Sequence, residues 1–327
     1  MSTKLEFFLE FLSTVFSRMP KNTKGGKPHI YTHASFVLFF VVVLYKRIYT
    51  FKGMEKFAKV HFKIFGFPCA PSRKTIRRRF TELPEVLQFL IPHIAIQCKQ
   101  LSFSTFGFPF AFIDKSVFRA KGGIWHKNDM KIGRVPHPSI DTEGSWAKSA
   151  YHGWRFGYGL HVICNQYRFP INAWVTTACV KDHSLIEQLL AYLNQYVGIL
   201  VGDRGYFALK TLKKVYQKWN ILIHTPDIFE NVSPKTKDCF KKTYNDFVKT
   251  VQARLLYKQR KPSIEPVFAL IKELFDLEGK TELPYQKLKF VQPYLMTTTL
   301  TVQLLMYDNF KNQRQLGHTE AFFATFR

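Results

Sequence analysis

Acidic residues are scarce in this chain, and unevenly so. Against 48 Lys+Arg there are only 23 Asp+Glu among 327 residues, a formal net charge of +25. No Asp precedes Asp114, and the acids before it are only Glu6, Glu10, Glu55, Glu82 and Glu85. An excess of this size points to a polyanionic partner, nucleic acid first, with a ribosomal-type or membrane-surface protein as the alternative. Cysteine is also sparse and unpatterned. Cys69, Cys98, Cys164, Cys179 and Cys239 are odd in number and include no Cys-x-x-Cys pair. That excludes a disulfide framework and a zinc cluster, and it suits a reducing compartment. Long apolar runs are missing too. Residues 36–45 form a run of about ten, too short to span a bilayer and better read as a buried helix. Residues 5–16 are apolar, but Glu6 and Glu10 spoil them as a signal peptide. The expectation is a soluble cytoplasmic protein with no membrane partner.

What is abundant is core-forming material. The chain is 46% hydrophobic and 16% aromatic, enough to bury a sizeable core and to exclude disorder. Its length allows about two domains. Residues 1 to about 100 read as helical: 5–18 with apolar residues at helical spacing, a Lys/Gly-rich linker over 20–28, a helix from Thr32 or Ser35 to Arg47, and another over 54–65. After a Gly/Pro turn, Ser72 caps a helix over 73–83 that Pro84 is expected to stop. Arg73, Lys74, Arg77 and Arg78 form one basic band on it, to which Arg79 adds, opposite the apolar stripe Ile76, Phe80, Leu83. Helix, glycine turn and capped basic helix make a helix-turn-helix pattern, whose early arginines would meet phosphates or guanine edges.

From about Phe106 the pattern turns to strands: 108–114, a hairpin of 157–165 and 171–179 around Arg168-Phe169-Pro170, then 198–203 and 221–224, with helices over 182–194 and 206–218. This order describes a mixed α/β sheet with helices on its faces. The connection over 119–156 interleaves Trp125, Trp146 and Trp154 with cations. That suits base stacking as well as it suits plain surface packing. Residues 228–250 are basic, as a second backbone-binding strip or a solvated insertion. The apolar helix over 288–306 would pack on the core or mediate pairing.

Three acids stand in interpretable places. Asp114 ends the run Phe110-Ala111-Phe112-Ile113, Asp203 ends Ile199-Leu200-Val201-Gly202, and Glu265 sits in a late helix ahead of Lys272. Two strand-end aspartates and a helical glutamate suit a site that holds two Mg²⁺ ions and activates a nucleophile against a phosphodiester. Asp182 reads instead as the cap of its own helix, and His161 as structural. Asp129, Asp141 and Glu143 fall in a loop, and His183-Ser184 lack a third group for a hydrolase triad.

The stretches FAFIDKSVF, EGSWAKSAYHGWRFGYGLHVICN, ILVGDRGYF and SIEPVFALIKEL resemble the catalytic core of DDE transposases from bacterial insertion sequences. The resemblance runs from about Phe110 to Leu274. It implies a ribonuclease-H-like catalytic domain over 106–290, behind an all-helical DNA-binding module over 1–105 and before a C-terminal helix and tail over 291–327. It implies Asp114 and Asp203 as ligands shared by two Mg²⁺ ions (Mn²⁺ able to substitute), completed by Glu265. It implies Tyr257, Arg260 or Lys261, and Lys272 as contacts to phosphates near the cut, with Arg260 one position earlier than the family pattern. Pro262 would mark the first turn of that helix. Lys is frequent in the family where Gly159 stands. DNA strand cleavage and 3′-OH strand transfer at element ends follow, by a homodimer in a bacterial, nucleoid-associated setting. The alternatives are a nuclease that does not join, or a non-catalytic DNA-binding derivative.

Overall fold

A computed structural model describes residues 2–19, 30–98, 101, 110–149, 153–229, 239–278 and 281–319. The expected linker over 20–28, the boundary near 105, Lys235, Lys237 and residues 320–327 lie outside the described residues. The N-terminal region is helical as expected: α1 (Ser2–Phe16), α2 (His33–Tyr45), α3 (Phe51–His61) and α4 (Arg73–Gln97). Thr32, Thr50 and Ser72 precede α2, α3 and α4 in extended conformation. Each side-chain oxygen accepts the N–H three residues on, the bond that fixes a helix start. Residues 34–44 of α2 are all buried, which explains a run that is apolar on every side. After α3 a 3₁₀ turn (Phe62–Phe65) ends at Gly66, where a φ of +69° and the 3.0 Å at which a Cβ would meet Leu9 Cδ2 both favour glycine.

Pro84 does not stop α4, which continues through Pro84 and Pro92 to Gln97. Each proline forfeits one i→i−4 bond. Both are buried, however, along with Leu83, Leu87, Leu90, Ile91 and Ile94, so core packing outweighs the local penalty. The same packing turns Arg79 inward. It is 6% exposed, donates to Tyr31 O at 3.3 Å and lies 5.5 Å from the Phe36 ring, so it does not join the basic band.

The sheet contains β1 (Phe110–Arg119), β2 (Ser145–Ser149), β3 (Gly153–Cys164), β4 (Pro170–Thr177), β5 (Ile199–Val201) and β6 (Leu222–His224). Its order is β2-β3-β1-β5-β6, with β4 also paired to β3. β1, β2 and β4 run antiparallel to β3, whereas β5 is parallel to β1 and β6 to β5. The β3–β4 hairpin turns where expected, with Arg168 at φ +65° and Asn165 Oδ1 accepting from the N–H groups of Tyr167 and Phe169. The architecture is the expected mixed sheet with flanking helices behind a helical N-terminal region.

The remaining helices are α5 (Lys127–Lys131), α6 (Ile186–Leu190), α7 (Leu209–Trp219), α8 (Cys239–Val248), α9 (Val251–Phe275) and α10 (Leu288–Lys311). α9 begins a full three turns before Pro262, capped by Thr250, and carries Pro262 and Pro266 in its interior. α10 is buried along most of its length, against α4 and β4. In the connection between β1 and β3, Trp125 Nε1 donates to Arg134 O and Trp146 Nε1 to Trp125 O, both at 2.8 Å. These two tryptophans pack. Trp154 is 56% exposed, with Lys127 Nζ 3.3 Å from its ring centre. Among the described residues no helix is long and apolar enough to cross a membrane.

Candidate active site

The site is set by where one short strand stops. β5 pairs in parallel with β1, Val201 opposite Phe112, and ends there. Asp114 is two residues past Phe112 and Asp203 two past Val201, so both arrive at one level beside the gap that β5 leaves. Gaps at the carboxyl ends of parallel strands are where α/β sheets place ligands. Asp114 is therefore not a strand-end residue. β1 continues beyond it to Arg119, still paired with β3.

Asp114 is the more constrained of the two acids. Burial pushes its carboxyl up to about 6 against the opposing pull of Arg260, and the Asp203 charge adds to the rise. Its Oδ1 accepts Lys115 N at 2.9 Å, and its Oδ2 receives Arg260 Nη1 at 2.6 Å. The two side chains are only 22% and 8% exposed, so this is a largely buried ion pair. The Asp203 side chain caps the 3₁₀ turn Arg204–Tyr206, its Oδ1 accepting Gly205 N at 2.9 Å. Tyr206, wholly buried, carries a phenol held far above its ordinary range by burial and by the charges of Asp182, Asp114 and Asp203.

Asp182 is the third acid of the neighbourhood, and its role as a helix cap does not hold. It is the first residue of a 3₁₀ turn whose cap position is Lys181, without a side-chain cap bond. Instead its Oδ1 takes Lys115 Nζ at 2.5 Å. Burial raises its carboxyl, Lys115 opposes the rise, and the Asp203 charge adds to it. A methyl at Gly205 would collide with Asp182 Oδ2 and lie 3.1 Å from Asp203 Oδ1, so both carboxylates face one glycine-sized space. Gly159 has a parallel function. A Cβ there would meet the Lys115 stem at 2.9 Å, so the absent side chain on β3 makes room for a lysine from β1. The sequence carried this signal, since a glycine inside a strand marks a close approach. His161 lies beside the pair, buried, held neutral by burial and by Lys115 (lowered to about 3), and hydrogen-bonded to Thr176 and Tyr206.

α9 brings Arg260 to the aspartates and presents Glu265 differently. Five residues at about 100° each put Glu265 roughly 140° around the helix from Arg260. Glu265 is exposed, with no hydrogen bond or ion pair among the described residues. Lys272 shares Glu265's face, and its stem reaches back over the sheet, with Nζ 5.9 Å from the Phe118 ring. Burial and the neighbouring Arg155 both lower its ammonium pKa. Tyr257 stacks under the Arg260 guanidinium at 5.8 Å, and Lys261 is exposed. On α4, Arg73, Lys74, Arg77 and Arg78 are all exposed, with Arg78 3.8 Å from Glu82.

A profile of the transposase DDE domain matches residues 107–283, more than half of the chain. The chain belongs to the transposase DDE domain family. The matched region holds Asp114, Asp182, Asp203, Arg260 and Glu265. A cryo-EM structure of a piggyBac transposase synaptic complex with hairpin DNA aligns with 98% of this chain and 76% of that chain, at 10% identity and a TM-score of 0.45. No curated protein matches the sequence.

Family membership implies a divalent cation. Asp114 and Asp203 fit one by donor chemistry, being hard carboxylate oxygens, with the Asp203 charge close enough to raise Asp114's proton affinity. A third donor does not stand with them: among the described residues no three His, Cys, Asp or Glu side chains are grouped to hold a metal ion. The positive charge beside Asp114 is supplied here by Arg260.

Proposed function

We propose that this transposase cuts DNA strands at the ends of an insertion sequence and joins the freed 3′-OH to target DNA, with Mg²⁺ as cofactor. The observation that carries the reading is the pairing of Asp114 and Asp203 at one level beside the end of β5, in a chain of the transposase DDE domain family. Asp114 and Asp203 would hold the metal, two ions with Mn²⁺ able to substitute. Glu265, which faces away from them in this structure, would complete the set only on a rearrangement of α9. Bound there, the metal supplies Lewis-acid activation of the nucleophile and charge neutralisation at the phosphate.

The chain's own residues do the rest. Burial around Asp114 excludes water from the reacting phosphate and strengthens every charge interaction there. Arg260 stands where a scissile phosphate would need a cation, with Tyr257 stacked beneath it, and Lys261 and Lys272 extend the positive surface along α9. The band Arg73, Lys74, Arg77 and Arg78 would lie on DNA, with affinity falling steeply as salt rises. Two ends processed together call for a homodimer.

The test is a labelled duplex carrying the element's terminus, incubated with target plasmid and Mg²⁺. Cut and joined products are expected, and both should vanish in Asp203→Asn. Cutting without joining would support the nuclease reading instead, and undiminished processing by Asp203→Asn would remove the metal assignment.

A further inference from the structure

Away from the acids, a groove of about 570 Å³ opens where α4, the end of α3's preceding loop and the start of α10 meet. Arg77, Lys121, Lys287 and Lys289 line it, and among the described residues no acid does. Arg77, Lys121, Lys287 and Lys289 are exposed and have no carboxylate partner among the described residues. Four unneutralised cations around one concavity repel each other, so an anion is the natural complement.

The groove is built on a fixed frame. Lys287 sits at φ +68°, a left-handed conformation unfavourable for lysine. It is held there by acids on the other side of the connection. Lys287 N donates to buried Asp141 Oδ2 at 2.9 Å, and Leu288 N to Glu143 Oε2 at 2.7 Å. Glu282 Oε2 accepts Gly122 N at 2.8 Å, and Lys121 Nζ donates to Pro284 O at 3.0 Å. The three carboxylates are engaged by backbone N–H groups, Glu282 also by Arg119 and Asp141 also by Tyr158, so none of them pairs with a groove lysine. Phe290 then holds two of the cations in place, with Arg77 5.5 Å and Lys289 5.3 Å from its ring centre. Its ring faces are thereby engaged, which favours phosphate over base stacking as the ligand's contribution.

The groove also has a direction. Lys121 follows the end of β1, near which Lys272 lies over the Phe118 ring and Arg155 Nη1 donates to Val117 O. At about 3.3 Å per residue, β1 runs roughly 17 Å from Asp114 to its end at Arg119, about five base pairs of B-DNA.

We infer that this groove binds the phosphodiester backbone of DNA beyond the scissile position, gripping the duplex through Arg77, Lys121, Lys287 and Lys289 without reading its sequence. The inference rests on the proposed DNA-processing function and adds a second anchoring site to it.

The experiment measures full-length protein binding to a fluorescent 30-base-pair duplex across a salt series. One variant carries Lys121→Gln, Lys287→Gln and Lys289→Gln; a control loses three exposed lysines of α7, Lys210→Gln, Lys214→Gln and Lys218→Gln. Each lost phosphate contact should lower the log–log salt slope by about 0.9, so the groove variant should fall by about 2 to 3 and the control should match wild type. A double variant, Lys287→Gln with Lys289→Gln, spares the Lys121–Pro284 bond and should lose about 2. An unchanged slope in both groove variants, or an equal loss in the control, overturns the groove while leaving the catalytic reading intact. A wild-type protein that ignores duplex DNA, or prefers RNA, overturns both.

Discussion

Arg260 Nη1 lies 2.6 Å from Asp114 Oδ2 in a largely buried pair, one residue from α9 locked onto one from the middle of β1. The guanidinium neutralises an acid that would otherwise stand beside Asp203 without compensation. Arg260→Gln should therefore have two opposite effects. Mn²⁺ affinity, read by calorimetry, should hold or rise because a competing cation is gone. Strand cleavage should fall by roughly 10²- to 10³-fold, the usual cost of losing a buried charge aimed at a reacting group. Cleavage at the wild-type rate would show that Arg260 only props the fold.

Much of this was legible in the sequence, and the exceptions have physical causes. Asp114 and Asp203 announced themselves as acids that follow short apolar runs, although only Asp203 comes after a strand's end. Asp114 lies inside β1, which pairing with β3 carries on to Arg119. The N-caps Thr32 and Ser72 were readable because a side-chain oxygen at a helix start acts locally. Pro84 and Pro262 misled in one direction, each read as a helix boundary. Local chemistry puts proline at a helix boundary, whereas long-range packing along α4 and α9 overrides it. Asp182 misled because its partner Lys115 is 67 residues away in sequence, and no local pattern records that pairing. Arg79 was misread for a similar reason, since it is the backbone of Tyr31 that turns it inward.

The Asp114 carboxyl titrates at about 6 in the folded chain, above its ordinary 3.8. Between those values the folded state binds the proton more tightly than the unfolded state. This residue's contribution therefore favours folding at low pH and is lost as pH rises towards and through 6. In chelator-containing buffer, the stability of wild type relative to Asp114→Asn should decline from pH 4 to pH 7 and level off above. Urea denaturation of both proteins across that range measures it. A difference that is flat, or that grows with pH, is inconsistent with a buried, raised Asp114.

Lys115, Asp182 and Gly205 form a unit that holds the Asp203 turn. Lys115→Met removes the cation opposing the rise in Asp182's proton affinity and should slow cleavage by about 10- to 100-fold, as lost support behind a metal-site residue does. Gly205→Ala should destabilise the protein by about 1–3 kcal/mol through overpacking against Asp182 Oδ2. Adding Asp182→Ala should recover part of that loss, because it empties the space the new methyl needs. A double-mutant cycle by urea denaturation gives the coupling, and strictly additive effects would separate Gly205 from Asp182.

Gln303 is the buried polar tie between the helical N-terminal region, the sheet and α10. Its Nε2 donates to Ile91 O in α4 at 2.9 Å and to Pro170 O at the start of β4 at 2.8 Å, from a side chain with no exposed surface. Helix and strand carbonyls that meet at such a junction have no water to turn to. Gln303→Leu keeps the volume but deprives both acceptors of this donor, and should cost about 1–3 kcal/mol. Gln303→Glu should cost more, since it withdraws the amide donor from both carbonyls and buries a charge. Chemical denaturation ranks the two variants. The expected order is wild type, then Leu, then Glu, with the Glu variant recovering stability as acid protonates its carboxyl and restores one O–H donor. A leucine variant as stable as wild type would mean that apolar packing alone joins α10 to α4 and β4.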